Sequence, residues 1–134
     1  MRKNTLYWGL TALFCLALTL GAVTEFLEVP MQVTGMKALG YPVYILPFLG
    51  IAKVLGVAAI LYGKQVRLKE WAYAGITFDL LGATYSHVMS SQIKEAVPAL
   101  VLVILCLVTY NLWRSSQPAE SRFRMQFNAE GATR

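Results

Sequence analysis

"WAYAGITFDLLGATYSHVM" (Trp71 to Met89) approaches the length of a helix that crosses a bilayer, yet it carries a carboxylate, Asp79, and an imidazole, His87. A helix needs roughly 20 residues to cross the ~30 Å hydrocarbon layer. Three further apolar stretches have comparable length: Leu6 to Val23, Pro42 to Tyr62 and Val97 to Trp113. With 57% hydrophobic and 14% charged residues in 134, the chain is too apolar for an ordinary soluble domain. Four spans leave too little chain for a separate soluble core. The expected fold is all-α: a four-transmembrane-helix antiparallel bundle with helices about 6–23, 42–62, 71–89 and 97–113. Residues 1–114 form the membrane domain and 115–134 a flexible cytoplasmic tail without periodicity.

Arg2 and Lys3 before an apolar run also fit a secretory signal peptide. No convincing small-x-small cleavage site follows, so the first stretch reads as an uncleaved helix. Basic residues set the orientation, because Lys and Arg in short loops stay on the cytoplasmic side. Arg2, Lys3, Lys64, Arg67, Lys69, Arg114, Arg122, Arg124 and Arg134 fall on one side, Lys37 and Lys94 on the other. Both termini are therefore expected to be cytoplasmic. The net charge of +5 is then a matter of topology and of a rim facing lipid headgroups. Nucleic acid is not an expected partner; the bilayer is.

The connections carry their own signals. Pro30, Gly35, Gly40 and Pro42 break any long helix between Thr24 and Pro42. A short surface helix, packed back as a lid, suits that piece. Gly63 to Glu70 and Ser90 to Ala96 read as short connections between antiparallel neighbours. Pro98 suits the first turn of the last helix, where its missing N–H costs little. Tyr7, Trp8, Tyr62, Trp71, Tyr73, Tyr110 and Trp113 read as an interfacial aromatic belt. Cys15 and Cys106 lie within apolar spans, where a free thiol behaves as a small hydrophobe; a disulfide between the first and last spans is the alternative.

A charge at the bilayer centre costs at least ~2.5 to 3.5 kcal/mol on insertion scales, so it must be paired, hydrated or neutral. At 1.5 Å per residue, Lys53 lies about 13 Å in from Tyr62 and Asp79 about 12 Å in from Trp71. The two can meet. Ala72, Gly75, Asp79, Gly82, Ala83, Ser86 and Ser90 share an arc of about 100°, and Gly50 and Gly56 flank Lys53. Facing stripes of small residues predict a close helix pair around an internal ion pair. That pair either fixes register as a structural bridge or belongs to a polar pocket with Ser86 and His87. His87 lies about 24 Å from the cytoplasmic edge, at the height of Glu25 and Glu28. Those three form a candidate outer cluster able to hold a head group, a proton or a metal. Its simpler reading is interfacial groups bonded to water. One histidine is poor for haem, and the spacing is weak for zinc, so no metal is expected. The chain has no phosphate loop and no nucleophile elbow.

"LKEWAYAGITFDLLGATYSH" (Leu68 to His87), preceded by "LGYPVYILPFLGIAKVLGVAAILYG" (Leu39 to Gly63), resembles the DoxX-like family of small four-helix bacterial membrane proteins. Its most specific parts are Gly40-Tyr41-Pro42, Lys53-Val54-Leu55-Gly56, Lys69-Glu70-Trp71-Ala72-Tyr73-Ala74-Gly75 and Ser86-His87. The resemblance implies a multi-pass protein of the bacterial inner membrane. Namesake relatives are associated with thiosulfate:quinone oxidoreductase and with responses to oxidants, and soluble partner subunits carry the redox cofactors. An acidic residue is common in the second helix of the broader family, where this chain has Lys53. The leading functional expectation is binding of a quinone or similar lipid-soluble compound in support of a redox system, with quinone the one candidate cofactor. The alternative is an assembly or interaction subunit without its own catalysis. Redox-protein subunits and further copies of the chain are the candidate partners. Proton-coupled transport fits least, since no inverted repeat is visible.

Overall fold

A computed structural model describes residues 2–117, and they form five helices: α1 Arg2–Phe26, α2 Pro30–Ala38, α3 Ile45–Tyr62, α4 Val66–Met89 and α5 Ile93–Ser116. Three of them, α1, α3 and α5, are long and apolar enough to cross a membrane. α4 has the length without the uniform hydropathy, because Arg67, Lys69, Glu70, Asp79 and His87 lie along it. Of the tail expected at 115–134, Ser115 and Ser116 continue α5, and 118–134 lie outside the described residues.

α1, α4 and α5 outrun their apolar stretches, while α3 starts three residues inside its own. Hydropathy marks what lipid would cover, whereas a helix continues until its backbone is stopped. α4 starts at Val66 instead of Trp71, so only 63–65 connect it to α3. α5 starts at Ile93, which moves Pro98 from the expected first turn into the helix interior. There, having no N–H, it removes one backbone bond.

The four long helices form a ring, with α1 against α3, α3 against α4, α4 against α5 and α5 against α1. Side chains at the start of α1, the start of α4 and the end of α5 meet, since Lys69 lies against Tyr7 and Trp113. Those contacts define a terminal end of the bundle. At the opposite end, α2 and the α4–α5 connection close the ring.

The core is apolar and centred on α1 and α5: Phe14, Leu18, Ile60, Ile76, Leu80, Val103 and Cys106 are buried. Outward faces are equally apolar, with Leu13, Leu16, Phe48, Leu55, Val101 and Ile104 exposed. A bundle with hydrocarbon on both faces of its helices is built for lipid.

Glycine sets the closest approach. A Cβ on Gly50 would stand 2.7 Å from the Ala22 carbonyl oxygen, so α3 lies directly on the α1 backbone there. One on Gly56 would meet Ile76 of α4 at 2.8 Å. By contrast, nothing lies within 4 Å of a Cβ on Gly75 or Gly82. The expected tight α3–α4 pair is thus tight only at Gly56. Elsewhere the small residues of α4 leave room.

The aromatic belt divides in two. Trp8, Tyr62 and Trp71 face outward, while Tyr7, Tyr73 and Trp113 are buried. Tyr73 stacks on Trp113 at 6.0 Å and meets Tyr110 edge-on at 5.5 Å. Lys69, expected in a loop, is buried among them, its ammonium 5.5 Å from the Trp113 ring. A cation on an aromatic face gains roughly 2 kcal/mol when desolvated. Both cysteines are buried free thiols, Cys106 Sγ lying 3.4 Å from Thr77 Oγ1.

Candidate functional site

The room left beside α4 is a cavity of about 330 Å³ between α3 and α4, roofed by α2. Its apolar wall comes from Met36, Leu39, Ile45, Leu46, Leu49 and Phe78; its polar groups are Glu25, Gln32, Tyr41, Lys53, Asp79, Ser86 and His87. A second hollow of about 560 Å³ runs along the outer groove between α3 and α4. Leu49, Lys53, Phe78 and Asp79 line both. Lys53 and Asp79 therefore border both spaces.

Lys53 Nζ reaches both oxygens of Glu25, at 2.6 and 2.8 Å, and lies 3.2 Å from Asp79 Oδ2. The Asp79 contact is one of charge without hydrogen-bond alignment, since Oδ2 is buried and accepts no bond. All three side chains are mostly covered, at 11%, 14% and 23% exposure for Lys53, Glu25 and Asp79.

Helix direction explains why Glu25 joins a centre that depth alone assigned to Lys53 and Asp79. Every Cα–Cβ bond leans toward its own helix N-terminus. α1 and α3 are antiparallel, so Glu25 leans down the bundle while Lys53 leans up toward α2. The two converge across a height difference that residue counting treats as a separation. This moves Glu25 out of the expected outer cluster.

The other members of that cluster go elsewhere. Glu28 is exposed and holds a positive φ of 48° where α1 ends. His87 Nδ1 bonds Gln92 Oε1 at 3.2 Å and lines the cavity rim. Ser86 Oγ bonds Tyr41 OH at 3.1 Å. Lys53, Asp79, Ser86 and His87 thus share one cavity with Glu25, and Glu28 does not.

α2 is the short helix expected between Thr24 and Pro42, packed over the cavity; Tyr41 was not expected as a site residue, although the sequence held a signal. Gly40 adopts φ 80° after α2, with Gly40 N–H donating to Lys37 O and Tyr41 N–H to Met36 O. This left-handed stop turns the chain back so that Tyr41 reaches α4. Gln32 Nε2 donates to Thr24 Oγ1 at 3.0 Å, tying α2 to α1. α2 itself buries no residue completely.

Such an arrangement can hold an amphiphile: a mostly apolar pocket with few convergent polar groups, of the volume that small ligands occupy. Neither a curated protein nor a solved structure matches the chain. The DoxX-like family matches it over residues 9–109.

Proposed function

Since the chain belongs to the DoxX-like family, we propose that it is a membrane-embedded binding protein for a quinone or similar lipid-soluble compound, supporting a redox or oxidant-response system. The observation that carries this reading is the Glu25–Lys53–Asp79 centre, whose Lys53 and Asp79 border two cavities. A polar ring would rest against the ionic centre beneath α2. Its apolar tail would leave along the α3–α4 groove past Phe78, which is 75% exposed, into lipid.

In this reading α4 crosses the bilayer as the fourth span. Asp79 is compensated by Lys53, and the polar residues of the first turns of α4 lie at the terminal end. The surplus of basic residues there supports cytoplasmic termini, with the protein in the inner membrane of a bacterium. Electrons would come from a redox partner subunit, and the chain itself supplies the site.

The test is extraction in a mild polymer followed by mass spectrometry of bound lipids. A quinone near one per chain is expected, with its loss in Gly82→Leu, which fills the cavity from a position where a Cβ meets nothing. An empty wild-type protein would refute the reading. One observation favours the interaction-subunit alternative: α2 packs lightly and leaves Met31 73% exposed. Under that alternative, α2 surface substitutions abolish cross-linking to a defined partner while Gly82→Leu changes nothing.

A further inference from the structure

We infer that the cavity selects a ligand head that donates a hydrogen bond, so that of a quinone couple it takes the hydroxyl-bearing quinol over the carbonyl-bearing quinone. This rests on the binding role proposed above and adds the chemical form of the ligand.

The inference comes from counting open hydrogen-bond valences at the depth of the ionic centre. An ammonium has three donors and no acceptor. Two of those on Lys53 are taken by Glu25, and the third faces Asp79 at 3.2 Å. That third N–H is held only by the charge of Asp79, outside hydrogen-bond alignment, so Lys53 has at most one donor for a ligand. Asp79 is the reverse. A carboxylate only accepts, and among the described residues Asp79 accepts no hydrogen bond. Its Oδ2 is buried against Lys53, and the side chain, 23% exposed, lines both the cavity and the outer groove.

The charge count points the same way. Two carboxylates surround one ammonium, leaving acceptor capacity in excess. At the rim, His87 Nδ1 is engaged by Gln92 Oε1, which in the neutral ring leaves Nε2 as a second acceptor. Of the donors nearer α2, Gln32 Nε2 spends one of its two N–H groups on Thr24, and the Tyr41–Ser86 contact uses one of its two hydroxyl hydrogens. A carbonyl placed against Asp79 would set two acceptors face to face. A hydroxyl there satisfies both, and a hydrogen bond to a charged group is among the stronger ones.

The experiment uses the full chain in lipid nanodiscs without oxygen. Equilibrium binding is compared for a short-chain quinol against its quinone, and for a para-alkylphenol against its methyl ether. The quinol and the phenol should each bind about tenfold tighter or more than their partners. Equal or reversed affinities in either pair overturn the inference while leaving the binding role intact. Binding of none of the four overturns both. Asp79→Asn, which offers a donor beside its acceptor, should shrink the quinol margin to below about threefold. A folded Asp79→Asn that keeps the full margin removes Asp79 as its source. If that variant fails to fold, the phenol and ether pair on the unaltered protein decides.

Discussion

Lys53 holds two carboxylates in a mostly dry setting, so its loss leaves both without compensation. Lys53→Met should cost about 3 to 5 kcal/mol, as removal of one partner from a buried ion pair does, measured by denaturant unfolding in detergent micelles. Two glycines on neighbouring helices give an opposite pair of outcomes. Gly50→Ala drives a methyl into the Ala22 carbonyl and should destabilise by about 1 to 3 kcal/mol. Gly75→Ala meets nothing and gains helix propensity, so it should be neutral or stabilising by up to about 1 kcal/mol. Equal losses at the two sites would contradict the packing described. The intramembrane charges could be found in sequence because their cost demands a partner. The identity of the main partner could not, because a lysine stem spans more than a helical turn and leans in a direction that only the antiparallel arrangement reveals.

At the scale of elements, the α2 end of the bundle is built from three left-handed helix stops. Gly40 ends α2, Glu28 ends α1 and Ser91 ends α4, with φ of 80°, 48° and 59°. In each case the next two N–H groups turn back to the helix, as Glu28 to Glu25 and Val29 to Thr24 at the close of α1. Only Gly40 has the residue type that suits this geometry without strain. Glu28→Gly and Ser91→Gly should therefore stabilise by up to about 1 kcal/mol each, read as a rise in melting temperature. Gly40→Ala should destabilise by about 1 kcal/mol and release the Tyr41–Ser86 contact, scored by protection of α2 from proteolysis. Helix existence was legible here from apolar runs. Helix ends were not, since Glu28 and Ser91 give no sign of positive φ and α4 and α5 run into polar sequence that hydropathy assigns to loops.

For the molecule as a whole, an all-helical fold with membrane-spanning helices followed from composition. The distribution of packing did not. The sequence presents α3 and α4 as the close pair because their small residues share faces, yet α1 takes Gly50 and the α4 stripe opens a cavity. Nothing in a single chain distinguishes a glycine kept for contact from one kept for space. The topology itself is open to a direct check. With Cys15 and Cys106 buried, single cysteines at exposed connections report sidedness. Lys64→Cys should be labelled by an impermeant maleimide from the side of the N-terminus, and Lys37→Cys and Lys94→Cys from the opposite side. Labelling of Lys64→Cys and Lys37→Cys from one face would deny α3 its crossing.

The two ends of the bundle differ in a way that limits what the protein can do. Beneath α2 there is space, while at the terminal end Tyr7, Tyr73 and Trp113 close around the Lys69 ammonium. A solute admitted beneath α2 has the apolar core between it and that terminal end. The membrane therefore stays electrically tight while the alcove is occupied or wet, and vesicles carrying the protein should hold a proton gradient as long as bare ones do.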